Sequence, residues 1–364
     1  MQKDFHYYAA YAAACLAGFS HEEALTICYC DQFTDDCTAT LLKNLGGPVQ
    51  AATTQLQTEL LDARTDILGL QNITRIWAAF HFLPYDLNAP LEHRGRTYKN
   101  KYRLICNSNS ELAVKTVELA KDKSPQAIGL AMHVISDTWA HKYFAGTPSL
   151  VINNTNYHFY EMLEDGSERQ IRFRHSVTSP DDVEQGLYTG SIYQGSENHI
   201  MNLGHGRAGH FPDYSFAVYR YLPAWGNYEE IIKDNPSDYL HAFGQIICAM
   251  QFLRGGRPDF PKECYAFDVM EPYMDEIERI IRKRQIDASQ DWKALGERIS
   301  GREIPDYDIE RYQEEYKNAS PEDKDATFLG KFMSAAIAQK SMVTHSIFTS
   351  GNMLAGFSKI GGKQ

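Results

Sequence analysis

The chain has 364 residues, of which 43% are hydrophobic and 23% are charged, as in an ordinary globular protein. Its formal net charge of −11 argues against a protein that coats nucleic acid through its overall electrostatic field. An anionic substrate is not excluded, because bound cations can be the largest local charges in a site.

The cysteines and the apolar segments indicate the compartment. The seven cysteines are an odd number and form no CxxC motif, which predicts reduced thiols without a disulfide framework. The sequence contains no run of 18 apolar residues, so it predicts no transmembrane helix. The segment "YYAAYAAACLAGF" (7–19) resembles the core of a weak signal peptide, but Asp4 and His6 stand where basic residues belong. We expect a cytoplasmic protein, with export as the alternative if the N-terminus is an unusual signal.

Helices are predicted through the first 145 residues. Ser20 and Glu23 have the spacing of a capping box, and they predict a helix from Ser20 to about Asp36. Two further helices are predicted at about 50–68 and 71–82.

A later helix in this part of the chain has clear signals at both ends. Ser124 is the predicted cap, Pro125 stands at the first helical position, and Gly146 is the predicted end.

The pattern changes between 147 and 228. The segment 149–177 alternates around the turn "EDGS" and predicts a β-hairpin, and a glycine-rich irregular segment follows at 203–216. Helices are predicted again at 236–254, 271–298, 307–318 and 327–348. The whole pattern predicts an all-α, mainly helical single domain over residues 1–364. It carries an irregular, partly β insertion at 147–228 and a C-terminal helical extension at 255–364.

The stretch "HVISDTWAH" (133–141) places His133, Asp137 and His141 on one stripe of a helix, four residues apart. Its other residues are almost all apolar, which is typical of a buried helix, and Gly129 leaves room beside the stripe. Burying three unpaired polar side chains would cost several kcal/mol. A shared divalent metal satisfies them together, and imidazole and carboxylate ligands suit zinc. A buried hydrogen-bond network is the alternative.

Further histidines and aspartates lie in apolar or glycine-rich surroundings. His6 precedes an apolar helix face, where a satisfied core histidine is the alternative. Asp31 and Asp35 lie one turn apart on the helix that Ser20 opens, and a solvated face is their alternative. His81 is flanked by phenylalanines. The glycine-rich segment adds three more candidates, for which a surface loop is the alternative: His205, His210 and Asp213.

The segments "DFHYY", "FHFLP", "HVISDTWAH" and "GHGRAGHFPD" together resemble a known group of proteins. They are similar to the helical zinc-dependent phospholipase C and single-strand nuclease superfamily, and closest to an uncharacterised bacterial family placed beside it. The resemblance covers about residues 1–250. It implies a cluster of two or three zinc ions, or similar divalent ions, held between helices.

The resemblance also implies how the ligands are divided. One metal would be held by four residues: Asp35, His81, His133 and Asp137. A second would be held by His141 with His205 and either His210 or Asp213. A third would be held by His6, with Asp137 as a bridging carboxylate.

Such a cluster predicts a metal-dependent hydrolase of phosphate esters, phospholipase C-like or nuclease-like, in which metal-bound hydroxide attacks the ester. Asp137 is the central carboxylate. Asp31 or Asp36 would position the water or orient a ligand histidine. A small phosphate ester, a nucleotide or a lipid headgroup suits this acidic chain better than a long nucleic acid does.

One other kind of protein fits the pattern, and two further kinds lack a motif that they require. A non-catalytic, metal-stabilised helical scaffold or binding protein is the alternative to an enzyme. An HD-type phosphohydrolase needs an adjacent His-Asp pair and a di-iron bundle needs ExxH, and the chain contains neither motif.

Overall fold

Helices make up most of the structure, which is a computed structural model. It describes residues 1–63, 67–90, 102–148, 152, 159–174, 181–189, 205–223, 225 and 229–352. The predicted mainly helical fold is confirmed, and a small antiparallel sheet accompanies the helices. None of the described helices is long and apolar enough to cross a membrane.

The α-helices are labelled in chain order: α1 Ala10–Leu16, α2 His21–Asp36, α3 Ala39–Leu45, α4 Gln57–Ala63, α5 Ile67–Phe80, α6 Glu111–Ala120, α7 Pro125–Ala140, α8 His205–Ala208, α9 Asn235–Leu253, α10 Phe267–Met270, α11 Met274–Arg282, α12 Ser289–Ser300, α13 Gln313–Asn318 and α14 Phe328–Thr349. Shorter elements are a π-helix, Asp4–Ala9, and the 3₁₀ turns Val49–Ala51, Phe211–Asp213, Glu271–Tyr273 and Lys324–Ala326.

Both predicted boundaries of α2 and the predicted start of α7 agree with the structure, but the predicted end of α7 does not. The capping box of α2 is present, since Ser20 accepts from the Glu23 N–H and the Glu23 side chain accepts from the Ser20 N–H. Helix α7 begins at Pro125 as predicted. It ends at Ala140 rather than near Gly146, so His141 is its C-cap residue and not a helical one.

Three predicted helices are wrong in extent. The one at 50–68 is a 3₁₀ turn followed by α4. Gly69, the expected end of that helix, lies inside α5, where burial of an apolar face outweighs the low helix propensity of glycine. The one at 271–298 is divided between α11 and α12, because the chain turns between them and the Ala288 N–H meets the Asp4 carboxylate at 3.0 Å. The one at 307–318 is helical only in α13.

The predicted hairpin is confirmed where the structure describes it. Strands β1 (Tyr160–Met162) and β2 (Glu168–Gln170) are antiparallel, and Gly166 has a φ of +79° in the turn. The larger sheet has the order β2-β1-β5-β6, with β5 at Val218–Tyr221 and β6 at Ile231–Asp234. Residues 149–151, 153–158, 175–177, 203 and 204 of the predicted hairpin and irregular segment lie outside the described residues.

Strand β6 lies beyond the predicted insertion boundary at 228, because its pairing with β5 continues the sheet to residue 234. Strands β3 (Arg172–Arg174) and β4 (Leu187–Thr189) form a separate parallel pair.

The C-terminal extension packs on the N-terminal helices. The buried Trp292 ring lies 6.0 Å from the Phe5 ring and 5.1 Å from the Phe243 ring, measured between centroids. Tyrosine hydroxyls of the π-helix and of α2 donate to the segment before α13, among them Tyr7 to the Pro305 carbonyl and Tyr29 to the Ile309 carbonyl. The extension therefore braces the helices that carry the site residues described below.

Two cysteines depart from the prediction of reduced thiols. Cys248 of α9 and Cys264 form a disulfide across 16 residues of sequence. The chain folds back after α9 and brings their Cα atoms to 6.1 Å, within the range that a disulfide spans. The spacing alone does not show this fold-back, so the prediction was wrong for this pair.

Candidate metal centre

The site is assembled from five parts of the chain. The π-helix supplies His6, α2 supplies Asp31 and Asp35, and the residue after α5 is His81. Helix α7 and its C-cap supply three more residues: His133, Asp137 and His141. The segment 205–213 supplies the last three candidates: His205, His210 and Asp213.

A close approach between two helices brings the first of these residues together. A Cβ atom at Gly129 of α7 would lie 2.2 Å from the Ile27 carbonyl oxygen and 2.8 Å from Cβ of Cys30, both on α2. Only glycine fits so near a neighbouring backbone. The contact sets α2, with Asp31 and Asp35, directly against the His133–Asp137 face of α7.

Asp137 lies at the centre of the cluster and is almost fully buried. Its Oδ1 is 3.3 Å from Nε2 of His6. Its Oδ2 is 3.1 Å from Nδ1 of His81, 3.3 Å from Nε2 of His133 and 3.5 Å from Nδ1 of His141. One carboxylate therefore faces four imidazoles.

The Met1 ammonium also meets this carboxylate, at 2.6 Å from Oδ1 of Asp137, and lies 3.3 Å from Oδ1 of Asp213. Burial lowers the pKa of this amine, but the two carboxylates outweigh burial and raise the pKa to about 11. The ammonium supplies positive charge between two buried acids.

Within the part of the chain that the structure describes, three groups of side chains have ligand atoms within 4.8 Å of one another, a spacing that a metal ion can bridge. Group 1 is His6, Asp31 and His133. Group 2 is Asp35, His81 and His133. Group 3 is His141, His205 and Asp213. Asp137 touches a histidine of every group.

The surroundings of Nε2 of His6 indicate whether a metal ion fits the cluster. Nδ1 of His6 lies 2.6 Å from Oδ1 of Asp31, a distance at which the ring N–H donates to the carboxylate. Nε2 of His6 is then an acceptor, and it is buried without a hydrogen-bond partner of good geometry. A lone pair aimed at a buried carboxylate oxygen 3.3 Å away is unfavourable unless a cation or a proton lies between them. The donor set therefore fits a divalent metal.

The pKa shifts of His133 and Asp137 show that the buried carboxylates favour positive charge around them. Burial favours neutral imidazole, yet Asp137 and Asp35 raise the pKa of His133 to about 10. Burial would raise the pKa of Asp137, but His141 and the Met1 ammonium hold it well below its usual range. A divalent cation satisfies the same demand and requires neutral imidazoles, so its binding would release protons.

Group 3 separates the candidates of the glycine-rich segment. Asp213 Oδ1 is 3.2 Å from Nε2 of His141, and Asp213 Oδ2 is 3.2 Å from Nε2 of His205. His210 Nδ1 is 3.7 Å from Asp213, and its side chain is 62% exposed. The structure thus gathers His205 and Asp213 around His141 and leaves His210 at the edge.

Asp31 and Asp36, predicted to position water, have different surroundings. Asp31 Oδ1 contacts ring nitrogens of both His6 and His133, at 2.6 Å and 3.4 Å. Asp36 accepts from the Tyr307 hydroxyl at 2.8 Å and belongs to none of the three groups found among the described residues. Sequence reasoning gave these two aspartates the same role, because the partner of Asp36 lies 271 residues away.

A cavity of about 1100 Å³ opens onto the cluster. Among its lining residues are the candidate ligands Asp35, His81 and His141. Trp77 and Phe82 form an aromatic wall, with the Phe82 ring stacked on His141 at 4.7 Å. A small molecule can therefore reach the edge of groups 2 and 3 and rest against an aromatic surface.

The fold and the cluster define a mainly helical protein with a buried His/Asp cluster. The chain belongs to a family described as a family of unknown function, DUF6765, whose model matches residues 1–347 and so spans all three groups. A search of curated proteins and a search of solved structures each gave no match.

Proposed function

We propose that the protein is a metal-dependent hydrolase of phosphate esters that binds two or three zinc ions, or similar divalent ions. One observation supports the proposal above all: the Asp137 carboxylate turns Oδ1 towards His6 and Oδ2 towards His81, His133 and His141. A carboxylate that faces separate ligand groups with its two oxygens is suited to bridge metal ions.

The residues divide into three binding sets in this proposal. Group 2 with Asp137 would hold one ion, and group 3 would hold a second. His6 with Asp137 would hold the third. Asp31 orients the ring of His6 by accepting from its Nδ1 at 2.6 Å, which leaves Nε2 of that ring for an ion. Oδ1 of Asp31 also lies 3.4 Å from Nδ1 of His133.

Bound divalent ions would act as Lewis acids on the phosphate oxygens and lower the pKa of water towards ~7. The protein supplies the geometry for this chemistry. Asp137 fixes the ligand groups relative to one another, and burial keeps bulk water from competing for them. Phe82 and Trp77 hold the organic part of the ester beside His141.

The substrate is a small phosphate ester, a nucleotide or a lipid headgroup. The aromatic wall offers a stacking or apolar surface of that size. The resemblance of the His/Asp segments to the zinc-dependent phospholipase C and single-strand nuclease superfamily supports the same reaction class. The helical fold is compatible with that resemblance.

The first experiment is metal analysis of protein purified without chelator or added metal, followed by assays with chromogenic phosphate monoesters and diesters. We expect two or three equivalents of zinc or a similar ion, and hydrolysis that a chelator abolishes. Metal without hydrolysis would favour the scaffold function. Absence of metal, with no rise in thermal stability on adding zinc, would defeat the proposal.

Asp137→Asn tests the central carboxylate. The amide cannot bridge cations, so we expect loss of at least one metal equivalent and a fall in hydrolysis of more than about a hundredfold. Asp165→Asn is the matched control, because Asp165 lies in the exposed hairpin turn. Full metal content and activity in Asp137→Asn would contradict the role of Asp137.

A further inference from the structure

The turn that carries Asp213 is held by two side chains of α9. The Asn235 amide nitrogen lies 3.3 Å from the Phe211 carbonyl oxygen, 3.2 Å from that of Pro212 and 2.8 Å from that of Tyr214. The Tyr239 hydroxyl donates to the carbonyl of Asp213 itself at 2.7 Å. Four consecutive carbonyls around the group 3 carboxylate are therefore bound by two neighbouring residues.

A buried lysine determines which way the Asn235 amide faces. Lys233 Nζ donates to Oδ1 of Asn235 at 3.0 Å, and both side chains are buried. An ammonium group only donates, so it requires the amide oxygen to face it. The amide nitrogen is thereby directed towards the carbonyls of the turn.

The same lysine connects the two arms of group 3. Lys233 Nζ also donates to Oδ2 of Asp238 at 2.5 Å, and Oδ1 of Asp238 accepts from Lys142 Nζ at 2.8 Å. Lys142 directly follows His141. Asp238 therefore joins the C-terminal end of α7, with His141, to the turn that carries Asp213.

We propose that Lys233, Asn235 and Asp238 are positioning residues for group 3, and we call them the clamp. They set the approach of His141 Nε2 to Asp213 Oδ1, now 3.2 Å, by acting on the main chain. The inference rests on the proposed function, because it concerns the metal affinity of one part of that site.

Asn235→Asp is the main test, because it keeps the size of the side chain and replaces the donating amide nitrogen with an oxygen. Zinc affinity is measured by competition with a chromogenic chelator, and the geometry of group 3 is followed in the visible spectrum of the cobalt-loaded protein. We expect one equivalent to bind about 10- to 100-fold more weakly, with a changed cobalt spectrum, while the other equivalents remain. Lys233→Met should weaken the same equivalent.

Asp234→Ala is the matched control. Asp234 caps the same helix, where its Oδ1 accepts the Ser237 N–H at 3.1 Å, and its side chain makes no hydrogen bond to the described residues of the turn. We expect this variant to lower the melting temperature and leave all metal equivalents and the cobalt spectrum unchanged.

Tyr239→Phe is a milder test if Asn235→Asp fails to fold, because it removes only the hydroxyl bound to the Asp213 carbonyl. We expect weaker binding of the same equivalent, by a smaller factor. Unchanged metal affinity in Tyr239→Phe and in any folded clamp variant, with metal in the parent protein, overturns the inference alone. Absence of metal from the parent protein would instead overturn the proposed function, and the inference with it.

Discussion

His205 and His210 have the same chemistry and lie five residues apart, yet the structure surrounds them differently. The His205 side chain is 20% exposed, with Nε2 at 3.2 Å from Asp213 and its ring 4.6 Å from that of His141. The His210 side chain is 62% exposed and reaches Asp213 only at 3.7 Å. Removing a buried imidazole that lies beside another candidate ligand should reduce metal affinity more than removing an exposed imidazole.

We therefore expect His205→Ala to lower the zinc affinity of group 3 by at least about tenfold. His210→Ala should leave that affinity within about twofold of the wild-type value. The two variants are each other's control, because both remove an imidazole from the same segment. The measurement is zinc affinity by chelator competition. Equal losses in both variants, or a larger loss in His210→Ala, would contradict the assignment of group 3.

The residue types of the site were predictable, but some partners were not. The spacing of His133, Asp137 and His141 indicated one polar stripe on a buried helix. The structure places His133 and Asp137 on that helix and His141 at the C-cap that follows it. No local signal separated Asp31 from Asp36, because an i, i+5 pair on one helix faces different neighbours. Those neighbours, His6 for Asp31 and Tyr307 for Asp36, are set by tertiary packing.

Elements show the same division between local and tertiary causes. The capping box at Ser20 and the hairpin turn at Gly166 were predictable, since the residues that specify them are adjacent. The end of α7 at Ala140 was not, because the Lys142 and Asp238 side chains engage the chain just beyond it. Packing partners decide where such a helix stops.

The contact of α7 with α2 gives a prediction at the scale of elements. Gly129→Ala would place a Cβ 2.2 Å from the Ile27 carbonyl oxygen, which cannot move without shifting α2. Alanine gains about 1 kcal/mol of helix propensity over glycine. Overpacking against backbone should outweigh that gain, for a net loss of about 2 kcal/mol in the free energy of unfolding. Metal affinity should also fall, because α2 carries Asp31 and Asp35.

Gly296→Ala in α12 is the matched control for Gly129→Ala. Its Cβ would meet side-chain atoms, Cδ1 of Ile304 at 2.8 Å and Cδ1 of Tyr11 at 3.1 Å, and these can move. We expect a smaller change in stability by chemical denaturation and no change in metal affinity. Wild-type stability and metal affinity in Gly129→Ala would show that the close helix approach is not required.

At the scale of the whole molecule, the cavity has walls from two parts of the chain. The helices supply the candidate ligands, and the region of the small sheets supplies Asp181 and Thr189. Thr189 belongs to β4, and its N–H donates to Asp181 at 2.6 Å. The position of this second wall therefore depends on how the sheet region is fixed to the helices.

Glu161 of β1 makes that connection. It is buried, with Oε2 at 2.8 Å from Arg169 of β2 and Oε1 at 2.9 Å from Arg284, in the segment between α11 and α12. Ile286 of the same segment lines the cavity. One carboxylate thus ties the sheet, the C-terminal extension and a wall of the cavity together.

Glu161→Gln should separate stability from metal binding. Removing the charge leaves two arginines facing a neutral amide in a buried position. We expect a loss of about 2 kcal/mol in the free energy of unfolding, below the usual cost of breaking a buried pair, because the arginine side chains are 25% and 30% exposed. Metal content should not change, since Glu161 belongs to none of the three groups found in the described part of the chain. The KM for a phosphate ester should rise, because the second wall loosens.

Glu168→Gln in β2 is the control, because its carboxylate is 39% exposed and pairs with Arg220 at the surface, where an ion pair contributes little to stability. Denaturation, metal analysis and KM are measured on both variants. A loss of metal in Glu161→Gln would mean that the sheet region holds the ligands as well as the cavity wall. An unchanged KM, with stability reduced, would mean that substrate contacts only the helical side.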